Sequence, residues 1–210
     1  DFESKALAYD VFSAIADAGP QFFPTVYDVY EPLSHKCNKN DVDELVRVWM
    51  NEENASVTSQ NRYGMGQILM EHRRKPKISY QMHWEKGQQE RFNYFIMSAD
   101  SEFLMEENNF QTFLSLCMKL SVLLDPVQGE IVNCAFPGWD TPINLQVRHP
   151  ELHWMAFFGK PYIELFGRDK LLNAPCYSTK SIGDNIIALQ MTESPFHAVA
   201  DEMRNAVKTY

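Results

Sequence analysis

The stretch from Trp154 to Pro175 constrains this chain more than any other. Trp154, Phe157, Phe158, Tyr162, Leu165, Phe166, Leu171 and Leu172 are crowded between fixed turn points at Gly159, Pro161, Gly167 and Pro175. That much apolar surface has to leave water, and the turn residues restrict the path by which it can do so. The stretch predicts short helical turns broken at Gly159 and Gly167, with Pro161 opening a helix. Its residue types suit core packing and include almost none that carry catalysis.

The remaining chain supplies the partners for such a core. At 210 residues it is one large domain or two small subdomains with a division near residue 125. A chain of this size needs no staples to stay folded. The net charge of −9 argues against a nucleic-acid binder, which carries a basic footprint. It argues equally against binding to anionic lipid, and it suits a basic protein partner. No apolar run reaches the roughly 18 residues of a membrane span. Cys37, Cys117, Cys134 and Cys176 form no C-x-x-C pair and have no zinc-finger spacing. They read as buried free thiols in a reducing compartment, which places the protein in the cytoplasm; a pair of disulfides in an exported protein is the alternative. The chain begins at Asp1 rather than Met, so a removed targeting segment, and with it a periplasmic location, stays open.

The pattern of elements is α+β, with a mainly antiparallel sheet and packed helices. Residues 3–18 carry a helical stripe stopped by Gly19-Pro20. Phe22 to Tyr30 alternates, but Pro24 makes it an edge or irregular strand. Asn40 caps a second helix that fades near Glu53. Strands follow at Tyr63–His72, where Gly64 and Gly66 suggest a bulge or a bend at its start, at Ile78–Glu85 and at Arg91–Ala99. Glu106–Leu124 is a long helix and Glu130–Phe136 a further strand. Beyond the aromatic stretch come strands at Tyr177–Ile182 and Asn185–Met191. Ser194-Pro195 then opens a final helix through Lys208. Hairpins outnumber βαβ crossovers, which is the α+β signature.

Candidate chemistry is sparse, and no cofactor or metal is expected. His83 and Glu85 share a strand face and form a candidate acid–base pair, although a solvated strand face explains them more simply. His149 and His153 stand at ligand spacing, but without an acidic third ligand they read as capping or surface residues. There is no nucleophile elbow and no phosphate-binding loop. Charge patterning says more. Asp41, Asp43, Glu44, Glu52 and Glu53 cluster against a single Arg47, and Asp100, Glu102, Glu106 and Glu107 face no base. Helix N-termini attract acids and account for much of this. The functional reading is a negative surface that docks a basic partner.

One resemblance gives these features a context. The run Phe158-Gly159-Lys-Pro161-Tyr162-Ile-Glu-Leu165-Phe166-Gly167-Arg168, preceded by Trp154 and followed by Leu171-Leu172-x-Ala174-Pro175, resembles the Immunity protein 52 family of bacterial toxin–immunity systems. The later run Ile187–Thr192 fits as well, whereas the N-terminal half matches only in its order of elements. The resemblance implies an antidote rather than an enzyme. Its partner would be a cognate secreted toxin, of the type VI secretion kind with a restriction-endonuclease-like nuclease domain. On that reading the aromatic motif is a structural signature and the two acidic clusters are the partner-binding candidates. The rival readings are an enzyme built on His83/Glu85 or His149/His153, and a structural adaptor domain.

Overall fold

The computed structural model describes residues 2–38, 42–51, 65–85, 93–135 and 151–210. The fold is α+β, with helices and two antiparallel sheets of five and four strands among the described residues. Two compact units divide the chain, Asp1–Leu124 and Asp125–Tyr210.

In the first unit, helix α1 (Lys5–Asp17) buries Ala8, Val11, Phe12, Ala14 and Ile15, the spacing of one helical face. Ser4 caps it by accepting a hydrogen bond from the Leu7 N–H at 3.3 Å. The strand expected over Phe22–Tyr30 shortens to β1 (Val26–Asp28), which begins after Pro24. It is not an edge. The two-residue β2 (His35–Lys36) pairs with one side and β3 (Met65–His72) with the other. Two residues are too few for a periodic signal in sequence. Helix α2 spans Val42–Trp49; its expected cap Asn40, the acids Asp41, Glu52 and Glu53, and Gly64 lie outside the described residues. Strands β4 (Ile78–Glu85) and β5 (Tyr94–Ala99) complete the order β2-β1-β3-β4-β5. A short helix α3 (Ser101–Leu104), not anticipated, precedes α4 (Glu107–Leu124). The buried stripe of α4 is Phe113, Leu116 and Leu120. Val122 stands 49% exposed.

Strand β4 alternates as a half-buried strand does. Ile78, Tyr80, Met82 and Trp84 are buried, while Ser79, Gln81, His83 and Glu85 are half-buried on the opposite face. The buried face is tied to its neighbours by polar handles on aromatic rings, as buried Tyr and Trp require. The Tyr80 hydroxyl donates to the Phe22 carbonyl at 2.6 Å. The Trp84 indole N–H donates to the Trp49 carbonyl at 2.9 Å, and Phe12 meets the Trp49 ring edge-on at 5.6 Å. Gly66 pairs with Trp84 in the ladder. A Cβ there would stand 2.1 Å from the Trp49 carbonyl oxygen and 2.2 Å from Trp84 Nε1. The start of the expected strand, Tyr63 and Gly64, lies outside the described residues, and from Met65 to His72 the register runs unbroken. Close approach, rather than a bend, demands the glycine.

The second unit is a four-stranded sheet in the order β6-β7-β9-β8. Strand β6 (Gln128–Ile131) begins earlier than expected, and Phe136 lies outside the described residues. Strand β7 (Met155–Phe158) overturns the reading of Trp154–Phe158 as a helical turn. All four of its residues are buried, so the run is continuously apolar and its period carries no helix-or-strand information. Helices α5 (Lys160–Phe166) and α6 (Arg168–Leu172) follow, separated by Gly167 at φ +90°. Only glycine enters that conformation readily. Strands β8 (Ser178–Ile182) and β9 (Ile186–Gln190) form the expected hairpin through Gly183. The final helix, α7 (Asp201–Thr209), starts later than expected. Ser194 Oγ accepts from the Phe196 N–H at 3.2 Å and closes a local turn instead of capping the helix.

All four cysteines are free thiols; Cys134 is exposed and the other three are partly covered. None of the four is fully buried, so the expectation of buried thiols fails, most clearly at Cys134. Burial pushes the Cys37 and Cys117 thiols up to about 12. No helix among the described residues is long and apolar enough to cross a membrane.

The Gly66 contact gives a direct test. Gly66→Ala is expected to lower stability by about 2–3 kcal/mol, because the obstructing atoms are a backbone carbonyl and a locked indole. Gly129→Ala, whose Cβ would meet the Phe157 ring at 3.4 Å, should change stability by less than about 1 kcal/mol. Urea unfolding midpoints of the two variants measure the contrast.

Candidate functional site

The described acids of the two clusters all belong to the first unit, and their carboxylates differ in engagement. Asp43 is exposed on α2 and accepts from the Tyr9 hydroxyl at 2.6 Å. Glu44 accepts from the Tyr27 hydroxyl at 3.2 Å and pairs with Arg47 at 2.7 Å. Burial, with the Glu44 carboxylate beside it, pushes the Tyr27 phenol up to about 12. Asp100 Oδ2 accepts from the Lys77 N–H at 2.9 Å and so extends the β4–β5 ladder by one rung. Glu106 accepts from Asn109 at 2.9 Å and Glu107 from Gln111 at 2.8 Å, both within α4 or its first turn. Glu102 is exposed in the first turn of α3. Asp43, Asp100, Glu102, Glu106 and Glu107 are all solvent-exposed. Glu44 and Asp100 have clear structural duties, while Glu102, Glu106 and Glu107 are bound locally at most. The links Tyr9–Asp43 and Tyr27–Glu44 join residues far apart in sequence and leave no local signal that could have revealed them.

The candidate acid–base pair His83 and Glu85 is taken up by other partners. His83 Nδ1 lies 3.3 Å from Gln67 Oε1, and the ring stacks on Tyr94 at 5.5 Å. The Glu85 N–H donates to Asn93 Oδ1 at 2.9 Å. His83 and Glu85 share the outer sheet face, but the imidazole is committed to Gln67 and Tyr94. With Gln81 donating to the Tyr94 hydroxyl at 2.9 Å, this is a polar cross-strand network of the kind that fixes register.

His149 lies outside the described residues. His153 is not the surface residue expected: it is 7% exposed. Its Nε2 stands 3.5 Å from Glu130 Oε2 yet makes no hydrogen bond among the described residues. The separation allows charge attraction to a protonated ring, but the alignment forms no hydrogen bond. Among the described residues no group of three or more His, Cys, Asp or Glu is placed to hold a metal.

The aromatic motif is wound into the second core. Tyr162 is 1% exposed. Its ring meets Phe158 at 5.3 Å and Phe166 at 5.8 Å, and its hydroxyl reaches Gln128 Oε1 at 3.4 Å. Burial raises that phenol above its ordinary range. The Trp154 indole N–H donates to the Thr192 carbonyl at 2.8 Å. A Cβ at Gly159 would lie 1.9 Å from the Pro126 carbonyl oxygen, which makes Gly159 the seam between β7 and the segment entering β6. Pro161 opens α5. Arg168 extends to Ser181 at 3.1 Å and to the Asp184 carbonyl, tying α6 to the β8–β9 turn. Leu171 is buried and Leu172 half-buried, whereas Pro175 is exposed. Leu165 corrects the reading of the whole motif as core, for it is 61% exposed.

Two concavities accompany these features, one in each unit. A groove of about 570 Å³ runs between α1 and α4, past Ala14, Asn108, Gln111 and the Lys119–Asp17 ion pair. A smaller cavity of about 160 Å³ lies beneath the end of α7, walled by Leu152, Phe158, Phe166, Leu171, Leu189 and Val207. Lys170 and Lys208 stand at its rim. Asp17, Thr112, Ser115 and Lys119 line the groove, where the Asp17 carboxylate and the Lys119 ammonium are paired to each other at 3.0 Å. No protein-family model, curated protein or solved structure matches the chain.

The second unit offers a pH test. The Lys208 ammonium donates to Glu151 Oε2 at 2.8 Å and, despite partial burial, holds the Glu151 carboxyl below its ordinary range. A depressed carboxyl stabilises the fold above its unfolded pKa, and the contribution is lost as pH falls through the folded value. Glu151→Gln should therefore cost about 0.5 kcal/mol at neutral pH, the pair being partly exposed and screened. The gap from the unsubstituted protein should close in acid below the ordinary glutamate range. Thermal melts across pH measure it, and a gap that widens in acid contradicts the assignment.

Proposed function

We propose that the chain is an immunity protein that binds and neutralises a cognate secreted toxin by covering the toxin's active site or its assembly surface. The toxin is a nuclease effector of restriction-endonuclease fold, delivered by a type VI secretion system. The observation that carries this reading is the run Tyr162-x-x-Leu165-Phe166-Gly167-Arg168 followed by Leu171-Leu172-x-Ala174-Pro175, with its resemblance to Immunity protein 52 sequences. The structural duties of Trp154, Gly159, Tyr162, Phe166 and Gly167 fit a family signature that maintains a fold. Partner recognition then falls to other surfaces.

The exposed carboxylates of the first unit suit that part. A nuclease cleft is built to accept phosphates and is correspondingly basic. Opposite charge speeds encounter and excludes wrong partners more than it deepens final affinity. Inhibition by covering a cleft also needs no turnover chemistry in the inhibitor.

Two measurements test the reading. Co-expression of the chain should rescue cells poisoned by the toxin encoded beside its gene, and death at undiminished rate overturns the proposal. The combined variant Glu102→Gln, Glu106→Gln, Glu107→Gln keeps the bonds of Glu44 and Asp100 intact. It should slow association with that toxin about tenfold at low ionic strength, with the difference shrinking as salt is added. Association rates equal to those of the unsubstituted protein would remove this surface from the interface.

A further inference from the structure

The edges of the two sheets are not protected alike. A sheet edge presents unpaired N–H and C=O groups, and proteins usually blunt it with brevity, charge, proline or a bulge. Edge strand β2 has only two residues, one of them Lys36. Edge strand β6 carries Glu130, and edge strand β8 carries Lys180 at its centre. Edge strand β5 reads Tyr-Phe-Ile-Met-Ser-Ala over six residues, without a charge, proline or glycine.

The ladder shows which groups β5 leaves open. The Asp100 N–H donates to the Lys77 carbonyl at 3.1 Å, so this opposed pair is of the hydrogen-bonded type. Such pairs alternate along an antiparallel ladder. Ser98, Ile96 and Tyr94, opposite Ser79, Gln81 and His83, therefore turn their backbone groups toward β4. Phe95, Met97 and Ala99 turn theirs outward. No hydrogen bond from the described residues reaches those outward groups across the edge. The Ile96 side chain stands 41% exposed beside them.

Charge at the end of the strand selects what would pair there. Asp100 and Glu102 follow β5 directly and are exposed. Lys77, whose backbone meets Asp100 at the end of the ladder, is answered by Glu71 at 3.4 Å. We infer that the β5 edge is a docking site for an extended segment of the toxin, added as an antiparallel strand with basic residues at its N-terminal end. Antiparallel addition brings that end beside Asp100 and Glu102. Main-chain bonds to Phe95, Met97 and Ala99 then supply the grip, the mode known as β-strand addition. This inference rests on the reading of the chain as a binder of a basic protein.

Amide hydrogen exchange by NMR on the full chain tests it. In the free protein the amides of Phe95, Met97 and Ala99 should exchange fast, while those of Tyr94, Ile96 and Ser98 exchange slowly. The probe is the peptide acetyl-Arg-Lys-Thr-Val-Thr-Val-Thr-Val-amide, compared with the same peptide carrying Glu-Glu in place of Arg-Lys. The basic peptide should slow the three open amides about tenfold or more, and the acidic one should not. Ala99→Pro removes one outward donor without touching the β4 ladder, and Ile96→Lys sets a charge on the edge. Either variant, once folded by its thermal melt, should lose the peptide's protection. Four outcomes overturn the inference: no protection at saturating basic peptide, equal protection by both peptides, full protection in Ile96→Lys, or protection in the free protein. In the last case, a rise with protein concentration would assign the edge to a second copy of the chain. The immunity reading is judged separately. If the unsubstituted chain rescues poisoned cells and a folded Ala99→Pro variant rescues equally well, the edge is dismissed and the reading stands. If the unsubstituted chain fails to rescue, the reading falls whatever the peptide does.

Discussion

Each unit of this protein depends on a place where backbone must meet its neighbours with no side chain between. In the first, Gly66 lets the Trp49 carbonyl and the Trp84 indole form a hydrogen bond directly over the β3 backbone. That bond joins α2 to β4, and the same Trp49 ring carries Phe12 of α1. In the second, Gly159 lets the turn after β7 close on the Pro126 carbonyl, and its own N–H donates to the Val127 carbonyl at 2.9 Å. The Phe158, Tyr162 and Phe166 rings pack together directly beyond that seam. Packing density in a core leaves no slack for a methyl group at such points.

The sequence was most readable where one face is wet. Strand β4 alternates cleanly because Ser79, Gln81, His83 and Glu85 stand opposite four buried residues. It was least readable where both faces are dry. Met155–Phe158 has no polar phase, so nothing separates strand from helix except the Gly and Pro that follow. Leu165 misled for the opposite reason, since an apolar residue inside an apolar run need not face the core. The β2 pairing and helix α3 are shorter than any period, and Ser194 illustrates that a good capping residue serves a turn equally well.

The candidate binding residues were legible as charge but not as geometry. Helix N-termini account for the positions of Asp43, Glu44, Glu102 and Glu107. Only the fold separates Glu44, held by Tyr27 and Arg47, from Glu102 at the surface. The same holds for histidine. Ligand spacing drew attention to His153, and the structure places it under cover beside Glu130, while His83 belongs to a register-fixing network. Residue type narrows the chemistry a position can perform, and burial and partners decide which of those it performs.

The unequal burial of the thiols has a practical consequence. Partial cover raises the Cys37 and Cys117 thiols and keeps them protonated, and Cys176 is shifted the same way. Cys134 alone of the four stands exposed. Thiol-directed reagents act on accessible thiolates, so the natural protein already carries a single preferred attachment point on its second unit. A fluorophore or spin label placed there would report on that unit without any engineered cysteine.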